Sequence, residues 1–182
     1  VHGGDKYSSS VILNEEVLDE VSKLNDLAPL HNPANIMGVR AFMEKIPSAT
    51  QVGCFDTAFH QTIKEDRFIY AVPYEWYQKY GVRKYGFHGM SHRYVSERVS
   101  ELLDKEFCNV IVCHLGQGGS ISAVRDGRCI DTTMGFTPNS GIVMGSRSGD
   151  IDYGIISYIS KKTGKSIDEI DHDLNKNSGM LG

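Results

Sequence analysis

NVIVCHLGQGGSISAVRDGRCIDT, residues 109–132, carries the reading that decides the fold class. A β-branched apolar run over Asn109–His114 ends in the turn His114-Leu115-Gly116-Gln117-Gly118-Gly119. Two further strands, Ser120–Arg125 and Arg128–Thr132, are joined by Asp126-Gly127, a pair suited to a two-residue hairpin because both positions accept positive φ. The glycines between the first two strands let backbone N–H groups approach an anion, and Ser120 can donate a hydrogen bond beside them. That chemistry suits a nucleotide phosphate. No GK[ST] follows, so the turn is not a Walker loop, and a strand follows where the dinucleotide fingerprint needs a helix.

Outward from this block the pattern alternates helix and strand. Val1–Gly4 reads as a strand end running into a glycine turn. Asn14 is placed to cap a helix over Glu15–Leu24, with acids in its first turn. Leu27–Pro33 is a proline-marked loop carrying Leu30 and His31. Ala34–Lys45 reads as a mostly buried helix, from Ile36, Met37, Val39, Ala41, Phe42 and Met43. Thr50–Phe55 reads as a buried strand that delivers Asp56 at its carboxyl end, where ligands bind in α/β sheets. A short helix covers Glu75–Tyr80. Ser91 is expected to cap a long helix, Tyr94–Leu103, with its apolar positions at helical spacing. Helices are expected over Ile151–Lys162 and Ser166–Asn175. The class is mixed α/β, with hairpins as well as helix crossovers.

The chain has 182 residues, 40% hydrophobic and 23% charged, with net charge −4. That is ordinary globular composition. No basic patch supports a nucleic-acid or membrane-surface role, and no apolar run reaches the ~18 residues of a membrane span. Cys54, Cys108, Cys113 and Cys129 include no CxxC pair, and buried free thiols in a reducing cytosol are the expectation. The chain opens at Val1 without Met, in what reads as mid-strand, so a segment of a longer protein is expected.

Three more segments carry candidate chemistry. In Met134–Asp152, MGFTPNSGIVMGSRSGDID, a lone Arg147 stands among glycines and hydroxyls. Its planar fork suits a carboxylate or a phosphoryl group; a surface loop with a solvated arginine is the alternative. In Tyr85–His92, His88 and His92 are four apart, but His88 precedes the expected Ser91 cap and no Glu follows it as in HExxH, so zinc is disfavoured. A histidine beside glycine at a strand end is suited to donate to charge developing in a transition state, and a structural histidine is the alternative. In Phe55–His60, Asp56 follows a strand as an aspartyl nucleophile would, but Ala58 stands where a phosphatase needs its second Asp. Holding a metal ion, polarising an acceptor or capping a helix remain open for Asp56.

Together these segments resemble the acetate kinase family, the acetokinase branch of the actin-like and sugar-kinase superfamily. The resemblance runs through VHGG (1–4), LAPLHNPAN (27–35), FDTAFHQT (55–62), YGFHG (85–89), SHRYV (91–95), HLGQG (114–118), DTTMGFTP (131–138), MGSRSGDID (144–152) and NKNSGMLG (175–182). It implies an α/β actin-like/sugar-kinase (ribonuclease H-like) ATPase fold with a mixed sheet, present as a fragment. Residues 1–59 would belong to an N-terminal domain and 60–182 to the first part of a C-terminal one.

The resemblance also implies roles. Asp56 matches the catalytic carboxylate, while His88 and Arg147 match the residues that stabilise the transferring phosphoryl group. His114, Leu115, Gly116, Gln117 and Gly118 match the nucleotide-phosphate loop, and His31 an active-site histidine. Val1, Leu30, Phe87 and Pro138 match the apolar pocket for the acyl methyl. ATP/ADP and Mg2+ are the implied cofactors, acetate and acetyl phosphate the substrate pair, and a homodimer the implied assembly. No metal ligand set lies within the chain by this match.

Related propionate kinases tend to carry Ala where Val1 stands, so the larger side chain argues for acetate. A short-chain acyl kinase and a non-catalytic actin-like nucleotide-binding module are the alternatives. The chain departs from the family pattern at Gln117 (usually Asn), Asn139–Ser140 (Leu–Glu), Ser146 and Met90 (both Thr) and Tyr153 (often Pro). The phosphate-binding segment expected before Val1 and the later adenosine motifs lie outside the chain, so the 182 residues alone are expected to be inactive.

Overall fold

The computed structural model describes residues 1–29 and 31–182. Its elements in order are β1 (Val11–Ile12), α1 (Glu15–Ser22), α2 (Asn32–Lys45), β2 (Val52–Gly53), α3 (Glu65–Phe68), α4 (Tyr74–Tyr80), α5 (Gly89–Leu102), β3 (Val110–Leu115), β4 (Gly119–Arg125), β5 (Arg128–Thr132), α6 (Gly154–Thr163) and α7 (Ile167–Lys176). Short 3-10 turns occupy Asn25–Leu27 and Ala58–Thr62.

The expected hairpins form. β3, β4 and β5 make an antiparallel sheet in that order, with His114 opposite Ser120 and Ser122 opposite Thr132. Asp126 (φ 50°) and Gly127 (φ 70°) turn the chain between β4 and β5, as a type I′ turn requires. Asn14 caps α1 by accepting from Val17 N. At the other end Ser166 and Glu169 form a reciprocal capping box on α7, which satisfies two of the N–H groups that a helix start leaves open.

Several expectations fail, each for a physical reason. Val1–Gly3 form no strand, although the expected glycine turn does follow at Gly4–Lys6; the Val1 carbonyl accepts from Asp56 N at 2.9 Å. Thr50–Phe55 is not a buried strand. Only Val52–Gly53 pairs, antiparallel to β1, and Val52 is exposed. α2 begins at Asn32, because Pro33 sits in the first turn where its missing N–H costs nothing. It is not mostly buried: Asn32 and Ile36 face inward, while Met37 (70%) and Phe42 (57%) are exposed.

Ser91 does not cap α5. The helix starts at Gly89, after His88, and Ser91 lies inside it. Its buried stripe is Gly89, His92, Ser96 and Ser100, while Tyr94, Val95, Leu102 and Leu103 face outward. Gly89, Ser96 and Ser100 are small and His92 reaches Ser120 by a hydrogen bond, which lets α5 lie close on the sheet face formed by Val112, Ser120, Ser122 and Val124, all of them buried. The apolar spacing therefore marks the face away from the sheet. The cysteine expectation holds in part: all four are free, but only Cys129 is buried.

A first apolar core gathers Tyr7, Leu18, Val21, Ile36 and Phe55. A second, smaller one gathers Phe87, Met134 and Met144, with Val1 packed against it. Among the described residues, no helix is long and apolar enough to cross a membrane.

Candidate active site

Asp56 lies three residues beyond β2, in the turn that leads into Ala58–Thr62. It grips the start of α5 twice. Its Oδ2 accepts from His88 N at 2.7 Å, and its carbonyl accepts from Gly89 N at 2.8 Å. These bonds hold His88 in a left-handed conformation, φ 59° and ψ 24°, a region that costs a non-glycine residue about 1 kcal/mol or more. The chain spends that strain on aiming one imidazole. Gly89 is required for the grip, since a Cβ there would stand 2.3 Å from the Asp56 carbonyl oxygen.

The His88 ring is held on two sides. Its Nδ1 is 2.9 Å from Ser120 Oγ at the start of β4. Its face stacks on the His114 ring, centroids 4.0 Å apart, and His114 Nδ1 is itself 2.8 Å from Ser91 Oγ. Burial lowers the His88 pKa; the neighbouring His114 and Arg147 push the same way, and Asp56 opposes them. His88 is thus a neutral imidazole near neutral pH, with one N–H to offer.

The glycine turn brings Arg147 to this imidazole. A Cβ added at Gly118 would lie 3.1 Å from Arg147 Nη1 and 3.4 Å from both His88 Cε1 and Nε2. Glycine is needed here for space: its bare Cα leaves a gap into which a guanidinium and an imidazole both look. Arg147 Nη1 donates to the Pro138 carbonyl at 3.0 Å. Gly145 N donates to Gln117 O at 3.3 Å and Gln117 Nε2 to Ser146 Oγ at 3.4 Å, so the turn and the 144–152 loop are tied together. Ser148 N donates to Leu174 O and Ser178 N to Ser146 O, which anchors the loop on α7 and on the turn beyond its C-terminal end.

The structure therefore assembles Asp56, His88, Gly118 and Arg147, with His114, Gly116 and Gln117 alongside. Leu115 belongs to the same turn but its side chain is 73% exposed. Val1 and Phe87 meet in the second core, with Met134 and Met144, two residues the sequence reading does not single out. Pro138 enters through its carbonyl on Arg147. His31 is exposed, and none of the described contacts joins it to His88 or Arg147. Its neighbour Asn32 is buried and clasps the His2 backbone, accepting from N at 3.0 Å and donating to O at 3.1 Å, so this segment sits beside Val1. Leu30 lies outside the described residues.

Sequence reasoning weighs His92 only in a disfavoured zinc pair and Ser120 only as a donor beside the phosphate turn, and it misses their contact with each other. Both are fully buried, and His92 Nε2 is 2.7 Å from Ser120 Oγ. The available signal is the i, i+4 pair of histidines, which in sequence suggests only a metal site. Among the described residues, no cluster of three or more His, Cys, Asp or Glu could hold a metal ion.

Comparison with known proteins places this fold. Over its whole length the chain superposes on a propionate kinase from Francisella tularensis (TM-score 0.97, 52% identity, 47% of that chain). It superposes equally fully on the acetate kinase of Porphyromonas gingivalis (TM-score 0.95, 46% identity, 46% of that chain). The fold is thus the actin-like, sugar-kinase type of α/β fold that these acyl kinases share. More narrowly, the chain belongs to the acetokinase family, whose profile matches residues 1–182. Curated relatives include an acetate kinase of Bacillus cereus, 55% identical over all of the chain and 46% of the relative. One of Anoxybacillus flavithermus is 56% identical over the same shares. The chain spans about half the length of the relatives it matches.

Proposed function

We propose that this chain supplies the acyl-phosphate side of an active site that transfers the γ-phosphoryl group of ATP reversibly to acetate. The observation that carries the reading is the meeting of Arg147, His88 and Gly118 around one gap. Phosphoryl transfer asks for positioning and charge neutralisation more than for covalent chemistry. A carboxylate oxygen of acetate attacks the γ-phosphorus in line as the bond to the ADP oxygen breaks, and ADP leaves with that electron pair. Arg147 and His88 donate to oxygens of the group in flight. The Gly116–Gly118 backbone, in the turn after β3, faces the nucleotide phosphates.

Asp56 suits a Mg2+ ion that keeps most of its water. One carboxylate oxygen is used by His88 N, the other accepts no hydrogen bond among the described residues, and magnesium is commonly held by one or two carboxylates plus substrate phosphates. When bound, the ion would neutralise phosphate charge. The methyl of acetate would rest against Val1, Phe87, Met134 and Met144. The same reading carries a cytoplasmic homodimer, which sedimentation of the full-length protein checks.

Full-length protein supplied with ATP and either acid, with acyl phosphate trapped as hydroxamate, tests the assignment. A higher kcat/KM for acetate is expected. A propionate preference would move the assignment to a propionate kinase, a second reading favoured by the 52% identity to the Francisella enzyme. No acyl phosphate from either acid would leave a nucleotide-binding module without catalysis.

A further inference from the structure

The two hydroxyl–imidazole contacts at the start of β4 form a directed chain. Ser120 Oγ stands 2.9 Å from His88 Nδ1 and 2.7 Å from His92 Nε2. Ser120 and His92 are both fully buried, shut off from bulk solvent. A serine hydroxyl has one hydrogen, and a neutral imidazole has one N–H. Burial, with the nearby His60, His88 and His114, pushes the His92 pKa down to about 3, so His92 is neutral.

Two directions are open to this chain. In one, His92 carries its proton on Nδ1, Ser120 donates to His92 Nε2, and His88 donates from Nδ1 to Ser120. His88 Nε2 is then a bare acceptor. In the other, His92 donates from Nε2 to Ser120, Ser120 donates to His88 Nδ1, and His88 carries its proton on Nε2. His92 Nδ1 decides between them. It is buried and has no hydrogen-bond partner among the described residues. A proton there would be an orphaned buried donor, which folded proteins avoid more strictly than an orphaned acceptor. The second direction leaves only an unprotonated nitrogen unpaired.

We propose that Ser120 and His92 are positioning residues that hold His88 in the tautomer with its proton on Nε2, aimed at the gap beside Gly118 and Arg147. The proposal rests on the phosphoryl-transfer reading for its kinetic consequence. A neutral His88 has a single donor, and this pair places it on the nitrogen that lies 3.4 Å from the Gly118 Cβ position. The arrangement parallels the orientation of a catalytic histidine by a buried partner in other enzymes, where the wrong tautomer is severely costly.

Two-bond 1H–15N correlation of histidine side chains, in full-length protein labelled with 15N-histidine, reads the tautomer without turnover. A protonated Nε2 and a bare Nδ1 are expected for His88. The reverse pattern overturns the proposal whether or not the protein phosphorylates acetate. Ser120→Ala is expected to lose the single-tautomer pattern and to lower kcat about a hundredfold, with KM for acetate within about twofold. His92→Gln, whose amide can still donate to Ser120, is expected to restore the Nε2 tautomer and most of kcat, where His92→Leu does neither. Equal kcat in Ser120→Ala and wild type, or equal tautomer patterns in His92→Leu and wild type, overturns it as well.

Discussion

Substitution of Gly118 by alanine isolates the space at the centre of the site. The added Cβ would stand 3.1 Å from Arg147 Nη1 and 3.4 Å from His88 Nε2. Ordinary carbon contact begins near about 3.5 Å, so the guanidinium must retreat by roughly 0.4 Å, while the imidazole contact is nearly normal. The retreat loosens the Arg147 bond to the Pro138 carbonyl, now 3.0 Å. The methyl also fills the gap between the two donors. Displacing or blocking one preorganised donor costs about 3 kcal/mol of transition-state stabilisation, a hundredfold or more in rate. Folding is expected to change by less than about 1 kcal/mol, since Gly118 does not have positive φ and its strongest contact is the end of a flexible side chain. The assay is kcat/KM for acetyl phosphate formation beside a urea unfolding curve. Activity within about threefold of wild type would refute the idea that Gly118 keeps the site open.

Gly89→Ala drives a Cβ to 2.3 Å from the Asp56 carbonyl, and backbone cannot yield cheaply; a loss of more than about 3 kcal/mol in urea unfolding is expected. Gly38, within α2, meets nothing within 4 Å of a built Cβ, so Gly38→Ala is expected to stabilise by about 1 kcal/mol with activity retained, read from the urea midpoint. Val1→Ala enlarges the apolar pocket and is expected to raise the propionate-to-acetate ratio of kcat/KM about tenfold or more; an unchanged ratio would remove Val1 from the pocket. Burial lowers the pKa of His60 to about 4 from 6.5. Its neutral form is the folded one, so the stability it contributes is full above about pH 6.5 and is lost as pH falls towards 4. At pH 5 the loss is about 2 kcal/mol, and urea unfolding of a His60→Gln variant should show a correspondingly weaker fall between pH 7.5 and pH 5.

Local chemistry is readable from the chain. Asp126-Gly127 announces its turn, Asn14 its helix, and the glycines at 116–119 their open loop, because each depends on neighbours a few residues away. The misreadings share a different cause. Apolar spacing misplaces α5, because the partner it meets is a sheet face rich in Ser120 and Ser122, and small polar residues fill that contact. Its start at Gly89 depends on Asp56, thirty-two residues before His88, accepting from two amides at once. The exposure of Met37 and Phe42 likewise depends on what packs against α2, not on α2 itself. At the site, Arg147 stands out as a lone charge among glycines and hydroxyls, while Asp56 and His88 keep structural alternatives on their residues alone and take their expected roles from the family resemblance. The pairing of Ser120 with His92 is not legible, because its significance is a shared hydroxyl, a contact visible only once β4 and α5 are packed.

Arg147 as a donor to the phosphoryl group is the central claim, and Arg147→Ala in the full-length protein tests it most directly. The expected result is a fall in kcat for acetyl phosphate formation of about a thousandfold, the scale of removing a cationic donor from a transferring phosphoryl group, with the unfolding midpoint little changed. A variant that folds and keeps kcat within about tenfold of wild type would contradict that role.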